Sequence, residues 1–445
     1  MLDPLAERYT TPEMCDIWGL TTTIRTEHKL WLDIAQAQAK LGLDITEQDL
    51  AAYENTAHQY RTNPEYRHRY HQMLAQQERT LGHQTMARLR TFDTHSGNLG
   101  KLHLGLTSSD ITENTQQAQI LRATALVALQ AQNLVLQLRE MGDRLANTTI
   151  CGRTHNMPAQ PTTLGHRFAR TANELAHAIH VTSMATSWYP RRGLRGAVGT
   201  NADLLQLLGG DTRKLDILQQ IVVGDTTALG VCGQNYPRSW DLPLIAATLG
   251  LCAAPSSLAT TIRLMSGNRL AAETRTPGQV GSSAMPHKTT PSLSERIHGL
   301  QVIARGYASM LEATCGDSWN EGDVSDSCIR RVALPGLFMA VNGLLNTTQQ
   351  LLDRVTFDFA RIAQELDQNR SQLATGQLLA AAVQHGVPRE QAHTELLNIY
   401  SGLNGRTLMT HHVVNSPTLG IDETQALQIL GADNTGTADQ EATNG

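Results

Sequence analysis

One short loop in the second half of the chain combines several residue types that catalysis uses. It runs Gly281-Ser282-Ser283-Ala284-Met285-Pro286-His287-Lys288 and follows another glycine at position 278. Glycine lets the backbone approach a ligand closely, and backbone amides together with a lysine can hold a carboxylate. A serine in such a loop could act where charge develops. The alternative is an ordinary polar loop with a lysine by chance, because short motifs also occur without function.

Three other segments place polar side chains beside glycine or proline. They are Leu81-Gly82-His83-Gln84, Gly105-Leu106-Thr107-Ser108-Ser109-Asp110 and Gly152-Arg153-Thr154-His155-Asn156-Met157-Pro158. Each is expected at a helix boundary, since binding and catalytic residues gather on loops. Taken alone, Thr107 and Ser108 would also suit helix caps. With the serine-containing loop, the three segments are candidates for one composite site.

Composition limits the class of protein. The 445 residues are 40% hydrophobic and 4% aromatic, with many alanines, leucines and glutamines, which favours helices. The length predicts two or three domains, or one very elongated domain. The net charge of −5 gives no basic surface for nucleic acid. Six scattered cysteines indicate reduced thiols rather than disulfides or a metal site. We expect a cytoplasmic protein, with no signal peptide and no apolar run long enough to span a bilayer.

The apolar pattern predicts long helices that position these segments. One should begin just after Thr107-Ser108-Ser109-Asp110 and extend about 50 Å. Its apolar stripe is Ile120, Thr124, Val127, Ala131, Leu134, Leu138, Met141 and Leu145. Further long helices are predicted over 163–188, 240–273, 294–316 and 330–355. Such helices expose more apolar surface than one chain covers, so we predict a homo-oligomer, with a monomer folded back on itself as the alternative.

The order and spacing of the four segments resemble the fumarase/aspartase superfamily, whose members eliminate fumarate from succinyl compounds. Within it, the chain is similar to the adenylosuccinate lyases over residues 8–331. The matching motifs are Arg8-Tyr9-Thr10-Thr11-Pro12-Glu13-Met14, Thr162-Thr163-Leu164-Gly165, Gly233-Gln234-Asn235-Tyr236-Pro237-Arg238 and Glu321-Gly322-Asp323-Val324-Ser325-Asp326-Ser327, the last running on to Arg331.

The resemblance implies an all-α fold, with a central bundle of long helices flanked by two smaller helical domains. The domains expected are 1–105, 106–353 and 354–432. The residues after them, 433–445, lack apolar content and are expected to be disordered. The resemblance also implies a homotetramer in which several subunits build each active site, with no metal or organic cofactor.

Roles for individual residues follow from the same resemblance. Ser282 matches the family's base and His155 its acid, with Glu295 orienting His155, Lys288 stabilising the intermediate and His83 helping to position the substrate. The positions implied to bind substrate are Arg8, Tyr9, Gln84, Thr107, Ser108, Thr154, Gln234, Ser283, Met285, Thr290, Arg296, Ser327 and Arg331. Hydroxyl and amide donors suit the succinyl carboxylates, and arginine suits a nucleotide phosphate. Histidines that match no motif are expected to face solvent, namely His28, His71, His180, His411 and His412.

Several positions near the ligand depart from the family pattern. Gly82 and Gln84 stand where an arginine and an aspartate are usual, Thr290 replaces an asparagine and Leu293 an arginine. Adenylosuccinate and the succinylated carboxamide ribotide of purine synthesis (SAICAR) are therefore the first candidate substrates but not the only ones. A paralogue that releases fumarate from a different N-succinyl compound is the second reading. A non-catalytic helical scaffold and a cycloisomerase are weaker alternatives, because the elimination residues are intact.

Overall fold

The structure is a computed structural model that describes residues 3–224, 230–278, 281–285, 287–403, 408 and 410–431. Helices form most of these residues, and the strands among them are short and pair in two-stranded sheets. The predicted all-α fold class is confirmed. The tail expected over 433–445 lies outside the described residues.

The elements follow one another along the chain as helices interrupted by two strand pairs. The first are α1 (Pro4–Arg8), α2 (Pro12–Trp18), α3 (Leu20–Lys40), α4 (Glu47–Thr62), α5 (Pro64–Leu81), α6 (Gln84–His95) and α7 (Ser108–Arg144). Next come β1 (Thr149–Thr154), β2 (Met157–Thr163), α8 (Leu164–Ser187), α9 (Ala202–Leu207), α10 (Thr212–Val223), a 3-10 turn at Arg238–Trp240, α11 (Leu242–Gly250), α12 (Ala253–Gly267) and β3 (Ala271–Glu273). The last are α13 (Ser292–Glu312), α14 (Ser327–Arg354), β4 (Val355–Phe357), α15 (Phe359–Gln368), α16 (Arg370–Gln384), α17 (Arg389–Gly402), α18 (Thr410–Val414) and α19 (Glu423–Gly431).

Most long helices lie where the apolar pattern predicted them. Helix α7 begins at Ser108, and every residue of its predicted apolar stripe is buried. Helices α8, α13 and α14 agree with the predictions to within a few residues. The single helix predicted over 240–273 was wrong, because the chain turns at Leu251 and Cys252 between α11 and α12 and then enters β3.

Contacts between Cα atoms divide the chain into two compact units. The first comprises Met1–Gln132, His177–Ala253 and Gly299–Thr347, and the second comprises Asn133–Ala176, Ala254–His298 and Thr348–Gly445. This division differs from the three domains expected from the sequence, which stay a prediction.

The first unit contains an apolar core built largely from its N-terminal helices. Trp31, Phe92 and Leu204 belong to one buried cluster. Local sequence signals set the helix ends around it. The Thr46 hydroxyl and the Asp49 carboxylate form a capping box at the start of α4, which satisfies backbone N–H groups that have no partner within the helix. Gly82 ends α5 with a φ of 61°, a left-handed conformation that glycine adopts without strain.

One of the histidines expected to face solvent is instead part of the core of the first unit. His28 is 2% exposed, its ring stacks on Phe92 at 3.9 Å between centroids, and its Nε2 lies 2.8 Å from the Tyr70 hydroxyl. Burial lowers the pKa of His28 from 6.5 to about 3. The solvent-facing prediction for His28 was wrong because its position on α3 places the ring among aromatic neighbours.

The second unit contains both strand pairs and a C-terminal helical cluster. Strands β1 and β2 pair antiparallel, as do β3 and β4. Leu378, Leu396 and Ala426 share one apolar cluster made by the last helices. Gly165, the second residue of α8, lies beside the end of α7, where a Cβ atom would lie 2.7 Å from the Cα atom of Ala146. Only glycine allows this approach.

Two helical stretches are long and apolar enough by composition to cross a membrane, namely 238–267 and 327–354. The sequence expectation concerned an uninterrupted apolar run, and polar residues interrupt both stretches, so that expectation stays a prediction. In each, most of the apolar window is buried inside the protein, at 61% and 72%. Core helices of soluble proteins pass the same compositional test.

Candidate active site

The loop over residues 281–288 is held by its own hydrogen bonds. The Ser282 hydroxyl oxygen accepts a bond from the Met285 N–H at 3.1 Å. The Lys288 N–H donates to the Met285 carbonyl at 3.0 Å, and the Thr290 hydroxyl donates to the Gly281 carbonyl at 3.2 Å. An amide that points at the serine oxygen favours its anionic form. The turn thus points one backbone donor at the Ser282 oxygen.

A cation that the sequence analysis missed also holds this loop. The Arg275 guanidinium donates to the Lys288 carbonyl and lies directly over Gly281, where a Cβ atom would overlap with it. Glycine at 281 therefore makes room for an arginine beside the serine. The sequence gave a weak signal for Arg275, because an arginine six residues before the motif is common by chance.

His155 lies at the tip of the β1–β2 hairpin rather than at a helix boundary, which corrects the expectation for this segment. Thr154 pairs with Met157, so His155 and Asn156 form a two-residue turn with φ values of 50° and 62°. Histidine and asparagine are among the few non-glycine residues that tolerate this conformation. The His155 and Thr154 side chains are exposed at the tip, available to a ligand.

The helix that carries Glu295 is anchored by another carboxylate. Glu295 lies exposed in the first turn of α13, and Arg296 beside it is partly buried. Glu273 on β3 is 6% exposed and accepts bonds from the Leu293 N–H at 2.8 Å and the Ser294 N–H at 2.9 Å. A buried carboxylate at a helix N-terminus satisfies free N–H groups and complements the helix dipole. Sequence reasoning did not identify Glu273.

The described residues of one chain do not join the predicted acid to the other catalytic residues. Ser282, Lys288, Glu295 and His155 all belong to the second unit. No hydrogen bond or ion pair links His155 to any of the other three, and the predicted contact between Glu295 and His155 stays a prediction. Ser283 and Met285 are exposed and Thr290 is partly buried in the same loop as Ser282.

The first unit brings together two residues predicted to bind carboxylates. The Gln234 side-chain amide donates to the Thr107 hydroxyl oxygen at 3.0 Å. Ser108 follows as the first residue of α7. The Asp110 carboxylate accepts from the Thr107 N–H at 2.8 Å, so Asp110 caps this helix start and leaves the Thr107 side chain to Gln234.

Buried ion pairs hold the chain around Gln234. Arg192 is fully buried, donates to the Asp110 carboxylate at 2.6 Å, and its Nε donates to the Gln234 carbonyl at 3.1 Å. Arg330 likewise pairs with Asp241 at 2.6 Å. Breaking a buried pair typically costs about 3–5 kcal/mol because one charge is left without a partner. The carbonyl side of Gln234 is therefore rigidly fixed.

The residues predicted to bind phosphate lie at two places in the first unit. Arg8 ends α1 and is exposed, and Tyr9 follows it, with its backbone packed against Gly343. Ser327 and Arg331 are four residues apart in the first turns of α14, so they share one face of that helix. Neither Arg8 nor Arg331 forms an ion pair among the described residues. Both guanidinium groups remain available for an anion.

His83 has a local structural role in addition to any catalytic one. Its Nδ1 accepts a bond from the Met86 N–H at 3.3 Å and caps α6, which begins at Gln84. The Gln84 side chain is partly buried and the His83 ring is exposed. A ring fixed through Nδ1 presents Nε2 outward. Within the described residues, no group of three or more His, Cys, Asp or Glu side chains could hold a metal ion.

Comparison with known sequences identifies relatives of the chain. A family model described as lyase matches residues 4–306. Adenylosuccinate lyase from Saccharomyces cerevisiae is 29% identical over 397 residues, covering 88% of this chain and 81% of the yeast protein. Adenylosuccinate lyase from Synechocystis is 28% identical over 403 residues, covering 87% of this chain and 86% of that protein.

Solved structures share the fold over nearly the whole chain. A fumarate lyase from Mesorhizobium sp. BNC1 superposes with a TM-score of 0.83 at 21% identity, covering 99% of both chains. A 3-carboxy-cis,cis-muconate lactonizing enzyme from Pseudomonas putida gives a TM-score of 0.81 at 20% identity, covering 98% of this chain and 97% of its own. At such identities the similarity concerns the fold alone.

Proposed function

The chain belongs to the lyase family whose model matches residues 4–306, and from that premise we propose that it eliminates fumarate from an N-succinyl substrate by breaking a carbon–nitrogen bond. The observation that carries the proposal is the hydrogen bond from the Met285 N–H to the Ser282 oxygen. It supplies the stabilised serine that such an elimination needs as its base.

The first step removes a proton from the carbon next to a carboxylate. The ionised Ser282 oxygen takes that proton, and the electrons of the C–H bond move onto the carboxylate to give an aci-carboxylate. This dianion needs preorganised donors. The Lys288 ammonium is the donor suited to that charge. Arg275 keeps Lys288 near the serine by holding the Lys288 carbonyl.

The second step breaks the carbon–nitrogen bond. Electrons return from the aci-carboxylate to form the double bond of fumarate, and the pair of the C–N bond moves to nitrogen. His155 gives its proton to that nitrogen, a task for which an imidazole is suited near neutral pH. In this proposal Glu295 would orient the ring, and the contact would be completed by another subunit of the homotetramer.

Substrate binding would use several residues of the first unit. Thr107, Ser108 and Gln234 would hold one succinyl carboxylate, and the pairing of Thr107 with Gln234 supports this assignment. Arg8 and Arg331 would bind a phosphate, because guanidinium groups without acidic partners suit that anion. This set of residues favours adenylosuccinate and SAICAR as substrates. The enzyme would then act in purine synthesis in the cytoplasm.

A different N-succinyl substrate is the second candidate, and one observation favours it. Leu293 stands where the family often has an arginine, and it is buried, with its N–H bonded to Glu273. An arginine contact with the ligand is thus replaced by an apolar side chain turned into the protein. Gln84 and Thr290 also differ from the family pattern, so specificity can have moved while the elimination residues remained.

The test is fumarate release by the purified protein, given adenylosuccinate and then SAICAR. We expect release from at least one of them and a loss of about 10²–10⁴-fold in kcat for Ser282→Ala. Ser309→Ala is the matched control, because Ser309 is exposed on α13 and lies outside the loop. Release that does not depend on Ser282 would contradict the mechanism. No release from either substrate by a folded oligomer would favour the second candidate.

A further inference from the structure

The turn that presents His155 is conformationally demanding. Both residues of the turn have positive φ, which costs about 1–3 kcal/mol for each non-glycine residue unless surrounding contacts compensate. The hairpin is also irregular, because its register shifts between Gly152 and Arg153 and leaves one extra residue on β2. Such bulges redirect neighbouring side chains. A contact from outside the turn must therefore fix the position of its tip.

Arg153 supplies that contact. Its Nη1 donates to the Asn156 carbonyl at 2.9 Å, and its Nη2 donates to the Glu365 carboxylate at 2.5 Å. One planar guanidinium thus ties the last residue of the turn to helix α15. The pair is largely shielded, since the side chains of Arg153 and Glu365 are 24% and 13% exposed.

The neighbouring structure makes this a rigid link. Gly152 lies so close to β2 that a Cβ atom would overlap with the Gln160 carbonyl, so the two strands approach closely beside Arg153. Glu365 lies in the last turns of α15, where its carbonyl accepts bonds from the Asn369 N–H at 3.1 Å and the Asn369 side-chain amide at 2.7 Å. Charge-assisted bonds from arginine are about twice as strong as neutral ones.

We propose that Arg153 and Glu365 are positioning residues for His155, the acid that protonates the departing nitrogen. The proposal rests on the function proposed above. In this role Arg153 acts within the protein, because Nη1 bonds the Asn156 carbonyl and Nη2 bonds Glu365. It acts through the turn, keeping the imidazole at one distance and angle from the leaving group.

Catalysis is sensitive to such positioning, since a misplacement of about 1 Å can lower a rate by about 10²-fold. Arg153→Gln removes the two guanidinium hydrogen bonds and the positive charge. We expect kcat to fall by about 10–100-fold with KM little changed, because His155 acts in the transition state. Arg153→Lys should be intermediate, since one ammonium lacks the planar fork that reaches both acceptors.

Two further variants separate positioning from stability. Glu365→Gln keeps an acceptor for Arg153 but removes its charge, so we expect a smaller loss than for Arg153→Gln. The double variant should be no slower than Arg153→Gln alone if the two residues act as one unit. Arg389→Gln is the control, because Arg389 also pairs with a glutamate in the second unit, Glu390, but both are exposed.

The readout that a merely structural role would not change is the solvent deuterium isotope effect on kcat. A displaced His155 makes proton transfer to nitrogen slower relative to other steps, so the effect should rise in Arg153→Gln and Glu365→Gln. It should stay at the wild-type value in Arg389→Gln. A kcat that falls only with the folded fraction, at an unchanged isotope effect, would overturn the proposal.

A second measurement needs no substrate and separates the failure of this inference from the failure of the proposed function. Hydrogen exchange of the peptide over residues 149–163 should quicken in Arg153→Gln by more than the fall in its global stability explains, and it should stay unchanged in Arg389→Gln. Unchanged exchange would overturn the proposal even if the enzyme is active. Faster exchange in a protein that releases no fumarate would support the positioning role of Arg153 and Glu365. It would count only against the proposed lyase function.

Discussion

Burial keeps His28 uncharged in the folded protein. His28 is enclosed by Phe92 and Tyr70, and the low pKa of its imidazole, about 3, comes mainly from that burial. In the unfolded chain the pKa of the imidazole returns to about 6.5. Between those two values the unfolded state binds more protons than the folded state. The free energy of unfolding should therefore fall as pH drops from about 6.5 toward 3.

His28→Phe tests this coupling, because phenylalanine keeps an aromatic ring against Phe92 but cannot titrate. The wild type should lose up to about 1.4 kcal/mol of unfolding free energy per pH unit below 6 through this residue, and the variant should not. The measurement is urea denaturation at pH 7 and pH 5. His58→Gln serves as the control, since His58 is exposed. An equal acid dependence in the wild type and His28→Phe would contradict the assignment.

Candidate site residues could be proposed from the sequence, but the contacts that support them could not. Ser282 and Lys288 lie in one short loop, so their proximity follows from the sequence itself. Arg153 and Glu365 are separated by 212 positions, and nothing local indicates that they meet. The burial of His28 was missed for the same reason. Contacts that depend on tertiary packing leave no signal in the spacing of one segment.

At the scale of elements, a helix start in the second unit depends on a single carboxylate. Glu273 on β3 accepts two backbone bonds and the Ser294 hydroxyl bond at 2.8 Å, and so fixes the turn of α13 that carries Glu295. Glu273→Gln replaces the anion with an amide, which offers one acceptor oxygen instead of two. We expect a loss of about 1–3 kcal/mol in unfolding free energy, because buried N–H groups lose their partner.

The measurement is urea denaturation, with hydrogen exchange at residues 292–297 as a local readout. Glu312→Gln is the matched control, since Glu312 is exposed at the opposite end of α13. Exchange should quicken only in the Glu273 variant. If both substitutions have equal effects, Glu273 does not anchor the helix.

Elements with a strong local pattern were predicted well, and short ones were not. The stripe of α7 repeats over many turns, which makes helical periodicity unmistakable. The hairpin around His155 has strands of six and seven residues that contain glycine and proline, and its turn lacks the Asn-Gly or Asp-Gly sequences typical of such turns. The two strands of the hairpin are held together by backbone hydrogen bonds, which the sequence does not reveal. The sequence therefore predicted only a polar segment at a helix boundary.

At the scale of the whole molecule, several long helices expose large apolar side chains. On α7, Leu129 and Leu136 are 55% and 65% exposed and lie seven residues apart, so they share one face. On α13, Val302 is 61% exposed, and on α14, Val332 is 54% exposed. Isolated apolar residues on a surface are ordinary, but repeated ones on long helices favour association with another chain. This supports association of the chain with itself, and the homotetramer in which each site would draw residues from several subunits stays a prediction.

Shared sites lead to a test of the assembly that uses two inactive variants. Ser282→Ala removes the base, and His155→Asn removes the acid while keeping a residue that tolerates positive φ. If one site takes Ser282 and His155 from different subunits, a mixed tetramer contains some sites in which both residues are intact. The two variants, dissociated together and reassembled, should therefore regain fumarate release, whereas each treated alone should not. Light scattering would verify that the reassembled species is a tetramer, and wild-type protein carried through the same steps would give the recoverable activity.

Continued inactivity of a well-formed mixed tetramer would place both residues of each site on one subunit. The hairpin or the loop would then have to move to bring His155 to Ser282, because no hydrogen bond or ion pair links them in the described part of the single chain.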